Sequence, residues 1–509
     1  MQLKITRLFI FILLSFPFFL KSQVISSKVV DAKTNEALPF VNIFLANKKG
    51  VITNAEGKFT FQLPANTKPT DSLFISFIGY EQLGKPLQEF TEEVILLNPK
   101  AIELNAVVVT NSNLTPEEVI DKVKENIQNN YNFNFTKKKI FFRESNHQNF
   151  VKTDYEFKKS TIDELNKPFL DSVLNTLPKK YDYYSEILCD LYGDYSKENQ
   201  KINMIKASEL YDKTNEVGMS ALEDKFNDII KKNVKPNSYF KIKSGLFGQK
   251  VEMDDMVSGS DQDSTKVAVA QEEIEKQKKR EAERKENFAK YRRNTLGRIF
   301  KTLFFDEDSN RNFITKSNRY EFTHVDFTYL GDAAVYVMDF EPKRKEDYKG
   351  RVYVNADDFA IVRIDYENVK PLKSFSLFGI SFKQYKSDGI VLFQKNQTNN
   401  KYDLKYLESS NASRFGIRRP LKIIEKNKHV KGRRKQNELF VKLDMATTAA
   451  NKYEVVVFDI DESDKSVFDA FKENNKISAT YMPTYNPEFW KGYNIIEPNQ
   501  AIKEFKAAE

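Results

Sequence analysis

The sequence predicts a mainly β protein with some α. It has a β-sandwich at the N-terminus, a mixed α/β middle and one large antiparallel β-sheet, half-barrel-like, toward the C-terminus. Three observations predict this. Between residues 23 and 98, short apolar runs alternate with turn residues at roughly 8- to 12-residue spacing, the pattern of an all-β sandwich. From 116, apolar residues recur at helical spacing behind a capping box. From 312, a long series of runs alternates apolar and polar residues, the period of half-buried strands.

The 509 residues give room for about two to four domains. Glycine is scarce, at 17, which argues against glycine-rich nucleotide loops. Lys4 and Arg7 precede an apolar run from Leu8 to Leu20, broken by Pro17, and Lys21-Ser22-Gln23 then turns polar. This reads as a secretory signal over residues 1–22, with cleavage expected after Ser22. The run is short of the about 20 apolar residues that a membrane span needs. No later segment approaches that length, so no transmembrane span is expected after signal removal. The chain has no cysteine just after the run, so no lipoprotein anchor is expected there. Removing the signal takes three positive charges from a net +8 and predicts no particular polyanion partner. Cys189 is the only cysteine, so no internal disulfide can form and the thiol is expected to be buried.

The elements follow in order. Val24 to Val30 is the first run, and Leu38 to Leu45 the second, with Pro39 at its start where a missing N–H is tolerated. Val51 to Asn54 and Lys58 to Leu63 flank Ala55-Glu56-Gly57. Thr60 and Gln62 alternate with Phe59, Phe61 and Leu63, one wet face and one core face. Asp71 to Phe77 and Val94 to Leu97 complete the module. Residues 99–115 are read as a strand plus linker. Thr115-Pro116-Glu117-Glu118 then caps a helix carrying Val119, Ile120, Val123 and Ile127.

In the mixed region, 116–257, Lys138 to Arg143 and Tyr155 to Lys159 read as short strands and Ser208 to Lys232 as a helix. Residues 258–311 form a charged segment. Within it, Gln271 to Arg293 is dense in Glu, Lys and Arg with almost no apolar stripe, which suits a solvated helix or a disordered stretch. The sheet domain spans 312–460. Gly350 to Val354 and Phe359 to Tyr366 flank Asn355-Ala356-Asp357-Asp358 as a hairpin. Ile380 to Tyr385 and Ile390 to Gln394 read as another around Ser387-Asp388-Gly389. Tyr402 to Leu407, Leu421 to Glu425, Leu439 to Leu443 and Tyr453 to Phe458 continue the series. A tail, 461–509, is expected to pack on the sheet.

Two stretches carry a resemblance to known families. The order V-V-D-A-K-T-N-E-A-L-P-F-V-N-I from Val29, then T-N-A-E-G-K-F-T-F from Thr53 and L-F-I-S-F-I-G-Y from Leu73, resembles the carboxypeptidase regulatory-like, or transthyretin-like, domain. The nearest versions in pattern are those fused to bacterial outer-membrane proteins, including TonB-dependent transporters. Ile102 to Thr110 resembles the segment that often follows the domain there. Ser27 stands where a glycine is usual and Asn54 where an aspartate is usual. The resemblance implies a sandwich and an exported protein of the periplasm or outer membrane of a Gram-negative bacterium, and it does not imply peptidase activity. Separately, Gly350 to Arg363 is weakly similar to the half-barrels of periplasmic lipoprotein carriers, whose concave apolar face holds acyl chains.

Catalytic signatures are lacking. Zinc hydrolysis needs several ligands and a base, and the chain has only His147, His324 and His429. Glu144 and His147 make one E-x-x-H where a di-iron bundle needs two. Gly79 to Lys85 fits a phosphate-loop pattern, but Pro86 replaces the Ser or Thr that would meet magnesium. Asp306, Asp308 and Asn310 start like a calcium loop, yet Arg311 takes the glycine position and Ser317 the bidentate-Glu position. Asp459 to Ser463 fails similarly, with Asp464 and Ala470 at those positions. The basic stretch Arg414 to Lys435 reads as a solvated loop. Tyr485 to Tyr493, with the only Trp, reads as an aromatic cluster packed on its own domain. No catalytic, cofactor or metal residue is therefore assigned. The expected function is non-catalytic binding or assembly in the envelope, with a protein, lipid or glycan partner and no nucleic acid. A lipid- or glycan-binding carrier is the alternative, and an unrecognised hydrolase the second alternative.

Overall fold

The computed structural model describes residues 24–46, 50–101, 114–245, 247–252, 283, 287–396, 398–427, 429–431, 434–473 and 477–507. The expected signal, most of the strand plus linker at 99–115 and the first half of the charged segment at 258–311 lie outside these residues. The chain divides into two compact units, residues 1–101 with 487–499 and residues 102–486 with 500–509.

The first unit is the predicted sandwich. Its strands are β1 (Val24–Asp31), β2 (Asn42–Leu45), β3 (Gly50–Ile52), β4 (Lys58–Gln62), β5 (Ser72–Ser76), β6 (Leu83–Pro86) and β7 (Val94–Leu97). They form one sheet in the order β4-β1-β7 and another in the order β3-β2-β5-β6. The alternation in β4 buries Phe59 and Phe61 and leaves Lys58, Thr60 and Gln62 half-wet. Val29, Val41, Ile43, Val51, Leu73, Ile75 and Ile95 complete the core.

Turn chemistry fixes the ends. The Asp31 carboxylate accepts the backbone N–H groups of Lys33 and Thr34 and the Tyr80 hydroxyl, the last at 2.7 Å. Burial, with help from that carboxylate, pushes the Tyr80 phenol up to about 12. Asn54 Oδ1 accepts from the backbone N–H groups of Glu56 and Lys58, at 3.0 and 2.9 Å. Its Nδ2 donates to the Pro498 carbonyl at 3.5 Å, which a carboxylate at this position could not do. Gly57 holds φ +76°, and a Cβ there would lie 2.5 Å from the Val29 carbonyl oxygen.

The expected tail over 461–509 is thus divided. Residues 487–499 belong to the sandwich unit. Asn494 pairs its side-chain amide with both backbone groups of Gln62, accepting at 2.8 Å and donating at 3.3 Å. Trp490 and Ile496 in this segment are buried. An amide side chain reproduces the donor and acceptor of a strand backbone, so it satisfies both outward backbone groups of Gln62 at the end of β4 as a further strand would.

The second unit is built on one 14-stranded sheet. Its strands are β8 (Thr136–Ser160), β9 (Lys180–Gly193), β10 (Gln200–Tyr211), β11 (Ser238–Ser244), β12 (Phe247–Glu252), β13 (Tyr320–Leu330), β14 (Ala333–Pro342), β15 (Tyr348–Asn355), β16 (Ile361–Asn368), β17 (Lys373–Leu377), β18 (Ile380–Lys395), β19 (Tyr402–Asn427), β20 (Lys435–Glu462) and β21 (Thr480–Met482). The main path runs β13-β14-β15-β16-β18-β19-β20-β8-β9-β10-β21. β17 adds to β18, and the β11/β12 hairpin adds to the end of β19. The longer helices are α1 (Pro116–Asn130), α2 (Lys167–Thr176), α3 (Thr214–Asn233) and α4 (residues 287–300).

Several expectations are corrected here. The regions 116–257 and 312–460 are not separate bodies, because β8, β9 and β10 continue the same sheet. The two short strands near 138 and 155 are one strand of 25 residues. The supposed hairpin at Ser387–Gly389 is a single strand, β18, with a register shift at Gln384/Lys386. The basic stretch from Arg414 is not a solvated loop but the outer part of β19. Residues 208–211 end a strand, and the helix begins at Thr214. Part of the charged segment is core: in α4 and just beyond it, Phe288, Leu296, Ile299, Phe300 and Leu303 recur at helical spacing and are buried. The capping box at Thr115 is as predicted. Its hydroxyl accepts from the Glu118 N–H at 3.3 Å, and the Glu118 carboxylate accepts from the Thr115 N–H at 2.7 Å.

Candidate functional site

The four long strands carry one face from a covered to an uncovered state. Residues directly opposite across the ladder share a face. Near the inner end, Leu407, Val455, Phe142 and Ile187 are opposite one another and all four are buried. In the next row on that face, Tyr453 lies opposite Glu144. There α4 is pinned by Arg292, which bonds Glu144 and donates to the Tyr183 hydroxyl at 2.7 Å. Beyond lies a polar band in which Asn411, Asn451 and Asn146 are opposite one another.

Further out the same face turns apolar again. Phe375, Phe382 and Phe415 form one row across β17, β18 and β19, and Leu377, Ile380, Ile417 and Met445 form the next. At the far end, Ile423 packs against Ile230, Val234 and Phe240, under α3.

Between the polar band and α3 the two added hairpins end side by side. A cavity of about 390 Å³ lies there, lined by Ser244, Phe247, Ile380, Ile417, Arg419, Pro420, Leu421 and Leu443. Its lining is mostly apolar, with one charged group. Arg419 is largely buried, donates to the Ser244 carbonyl at 2.5 Å and lies 5.1 Å from the Phe247 ring centre. The Phe247 and Phe378 rings are 6.0 Å apart.

The β17/β18 turn has an unusual composition. Its two central residues, Phe378 and Gly379, have φ +48° and +77°. Tight hairpins with both φ positive favour Asn-Gly. An aromatic residue in the left-handed region costs on the order of 1 kcal/mol. Gly379 has no alternative, since a Cβ would lie 2.2 Å from the Arg418 carbonyl oxygen. Its own carbonyl accepts the Arg418 N–H at 2.6 Å, which holds the turn against β19.

Other candidate groups resolve into structural roles. On the opposite face, Glu408, Glu454, Arg143, Glu186 and Ser208 form one cross-strand row. Arg143 is 1% exposed and donates to Glu186 at 2.7 Å, with Glu454 at 3.6 Å. Burial alone would lower its pKa, but the two carboxylates reverse that and hold it above the ordinary value. A cleft of about 450 Å³ on β14–β19 gathers Asp339, Asp365, Glu367, Asp388 and Glu408. These five are bridged to Arg351, Arg363, Lys349, Lys386 and Lys452 respectively as a ladder of ion pairs, and Glu341 in the same lining is exposed.

His147 Nδ1 lies 2.7 Å from Asp182, and Glu144 three residues earlier bonds Arg292, so the E-x-x-H pair is divided. His324 stacks near Phe327. Asp306 caps its own turn through the Asp308 N–H, and Asp459 and Asp461 lie within strand β20. Gly79 lies in a turn before β6. Among the described residues no group of three His, Cys, Asp or Glu could hold a metal ion, and no helix is long and apolar enough to cross a membrane. Cys189 is fully buried, and burial pushes its thiol pKa far up. Lys138, also buried, is drawn down to about 8 by desolvation, against the pull of Asp403 and Asp194.

Sequence reasoning assigned none of the groove residues. The available signal was Phe375-Ser-Leu377-Phe378-Gly379-Ile380-Ser-Phe382, an alternating hairpin with an aromatic at its turn.

Comparison with known proteins bears on the first unit. The CarboxypepD_reg-like domain family matches residues 25–109. The match spans the whole described sandwich from β1 to β7 and runs into the segment after it. No curated protein matches the chain. Among solved structures, one titled "The complex structure of Pseudomonas aeruginosa MucA/MucB" aligns over 66% of this chain and 93% of that chain, at 6% identity and a TM-score of 0.16, which carries no argument.

Proposed function

We propose that this chain, whose first module is a carboxypeptidase regulatory-like domain, is a non-catalytic, exported binding protein of the cell envelope. The second unit supplies the binding site. The observation that carries this reading is the groove between the hairpin ends: Ile380, Ile417, Leu421 and Leu443 offer an apolar wall, and Arg419 is its one charged side chain. Such a lining favours burial of an apolar group beside an anion or a hydrogen-bond acceptor. It holds no paired acid and base to move a proton.

Fractionation of the producing cells, with native mass spectrometry of the purified protein, tests this. A periplasmic or outer-membrane protein retaining a bound partner or amphiphile is expected. A cytosolic protein, or hydrolytic activity that survives further purification, would end the proposal.

The groove specifically favours a second, narrower reading, an amphiphile-binding carrier. An apolar cavity of this size suits a segment of acyl chain better than a sugar, whose hydroxyls would lack partners. Extraction and lipid analysis of the purified protein separates the two, since a protein partner would leave no lipid in the extract.

A further inference from the structure

The two hairpin ends bordering the groove carry a second property, which does not depend on anything occupying it. Phe375, Leu377 and Phe378 on the β17/β18 hairpin, and Phe247 opening β12, are 52, 61, 58 and 57% exposed. With Phe415 and Tyr385 they are six of the fifteen large exposed hydrophobic side chains among the described residues. An apolar concentration of this kind on a surface marks an interaction site. The turn departs from its favoured Asn-Gly to place Phe378 at the tip.

Charge is segregated around the same ends. Residues 239–251, 373–386 and 409–424 contain ten Lys and Arg and no Asp or Glu. Lys373, Lys383, Arg414 and Arg418 among them are exposed. The acid opposite Arg418 across the ladder, Asp444, is shared between Lys152 at 2.5 Å and Arg418 itself at 3.7 Å. By strand alternation Lys383, Arg414 and Arg418 lie on the opposite face of the sheet from Phe375, Leu377 and Phe415, and Lys373 lies on the same face, so cations flank both sides of the protruding hairpin ends. That arrangement complements an anionic bilayer, with rings at the acyl boundary and cations at phosphate level.

We infer that the paired hairpin ends are a docking surface for an anionic phospholipid bilayer, with Phe378 and Leu377 entering the interface.

Vesicle co-sedimentation of the purified protein tests this, using equal parts phosphatidylglycerol and phosphatidylcholine against phosphatidylcholine alone. Binding is expected to the anionic vesicles and to weaken with added salt. Phe378→Asn restores the favoured turn, so it should fold at least as stably while losing roughly tenfold or more in partitioning. Lys373→Glu with Lys383→Glu should lose binding at low salt by a similar factor, at about 1 kcal/mol per cation near the surface. The inference is overturned if the parent does not bind, if it binds both vesicle types equally, or if Phe378→Asn binds like the parent. Self-association that Phe378→Asn abolishes, without vesicle binding, would assign the surface to a second copy instead. Ligand retention by native mass spectrometry reads the groove independently, so failure of either reading leaves the other standing.

Discussion

The inner and outer ends of β18, β19 and β20 are made of similar residues and live in different surroundings. At the inner end Phe393, Leu407 and Val455 are buried beneath α4 and its following turns. At the outer end Phe382 and Phe415 occupy the same strands, yet Phe415 is 41% exposed. Backbone pairing is continuous through both, as β19 and β20 stay in register from Tyr406↔Val456 to Ile424↔Glu438. Strand formation therefore does not require a local core. The inner half holds the buried core, and pairing extends a ribbon whose outer apolar rows are more exposed.

The largest test of this difference is the buried charge row. Arg143→Met should cost about 3–5 kcal/mol in urea unfolding, because Glu186 and Glu454 are left buried without their cation. A loss under about 1 kcal/mol would mean that water reaches the row and the inner half is less sealed than its burial implies.

Paired truncations come next. Phe393→Ala should destabilise by about 3–5 kcal/mol, the range for a buried aromatic, whereas Phe415→Ala should stay within about 1 kcal/mol. Equal losses would erase the distinction between the two ends.

Lys138 gives a pH-dependent test of the same sealed half. Its folded pKa of about 8 lies below its ordinary value of 10.5. Between these values the unfolded chain binds more protons, so stability should rise as pH increases from about 8 toward 10, before tyrosine ionisation intervenes. Lys138→Met should remove that rise and add on the order of 1–3 kcal/mol at neutral pH. A wild-type profile that is flat or falls over this interval contradicts the assignment.

The smallest effect belongs to the sandwich. Asn54→Asp keeps the turn acceptor and loses the donor to the Pro498 carbonyl, which should cost about 1 kcal/mol in thermal unfolding. No change would mean that the 3.5 Å contact contributes little.

Legibility in the sequence follows the same division. The sandwich was readable because β4 and β5 alternate strictly over a core on one side. The capping box at Thr115 was readable because its partners are three residues apart. The long strands were not, since their polar middles, Ser409–Arg414 and Ala446–Lys452, lack the apolar period that marks a strand. Such segments remain extended because each backbone group has a partner on both sides. The buried face of α4 was missed because its apolar stripe starts at Phe288 and lies mostly beyond the charged run. The groove was invisible because Phe247, Ile380, Arg419 and Leu443 come from four strands and meet only through the pairing order.

One contact also bears on how the chain matures. The Asn494–Gln62 pair satisfies both outward backbone groups of Gln62 at the end of β4. Asn494 follows Gln62 by 432 residues, so β4 is made long before this partner exists. Until then the outward N–H and C=O of Gln62 lack this partner, and an open edge position of that kind can pair with another chain. A chain truncated before residue 487 would lack this partner and also Trp490 and Ile496, which are buried and belong to the same unit.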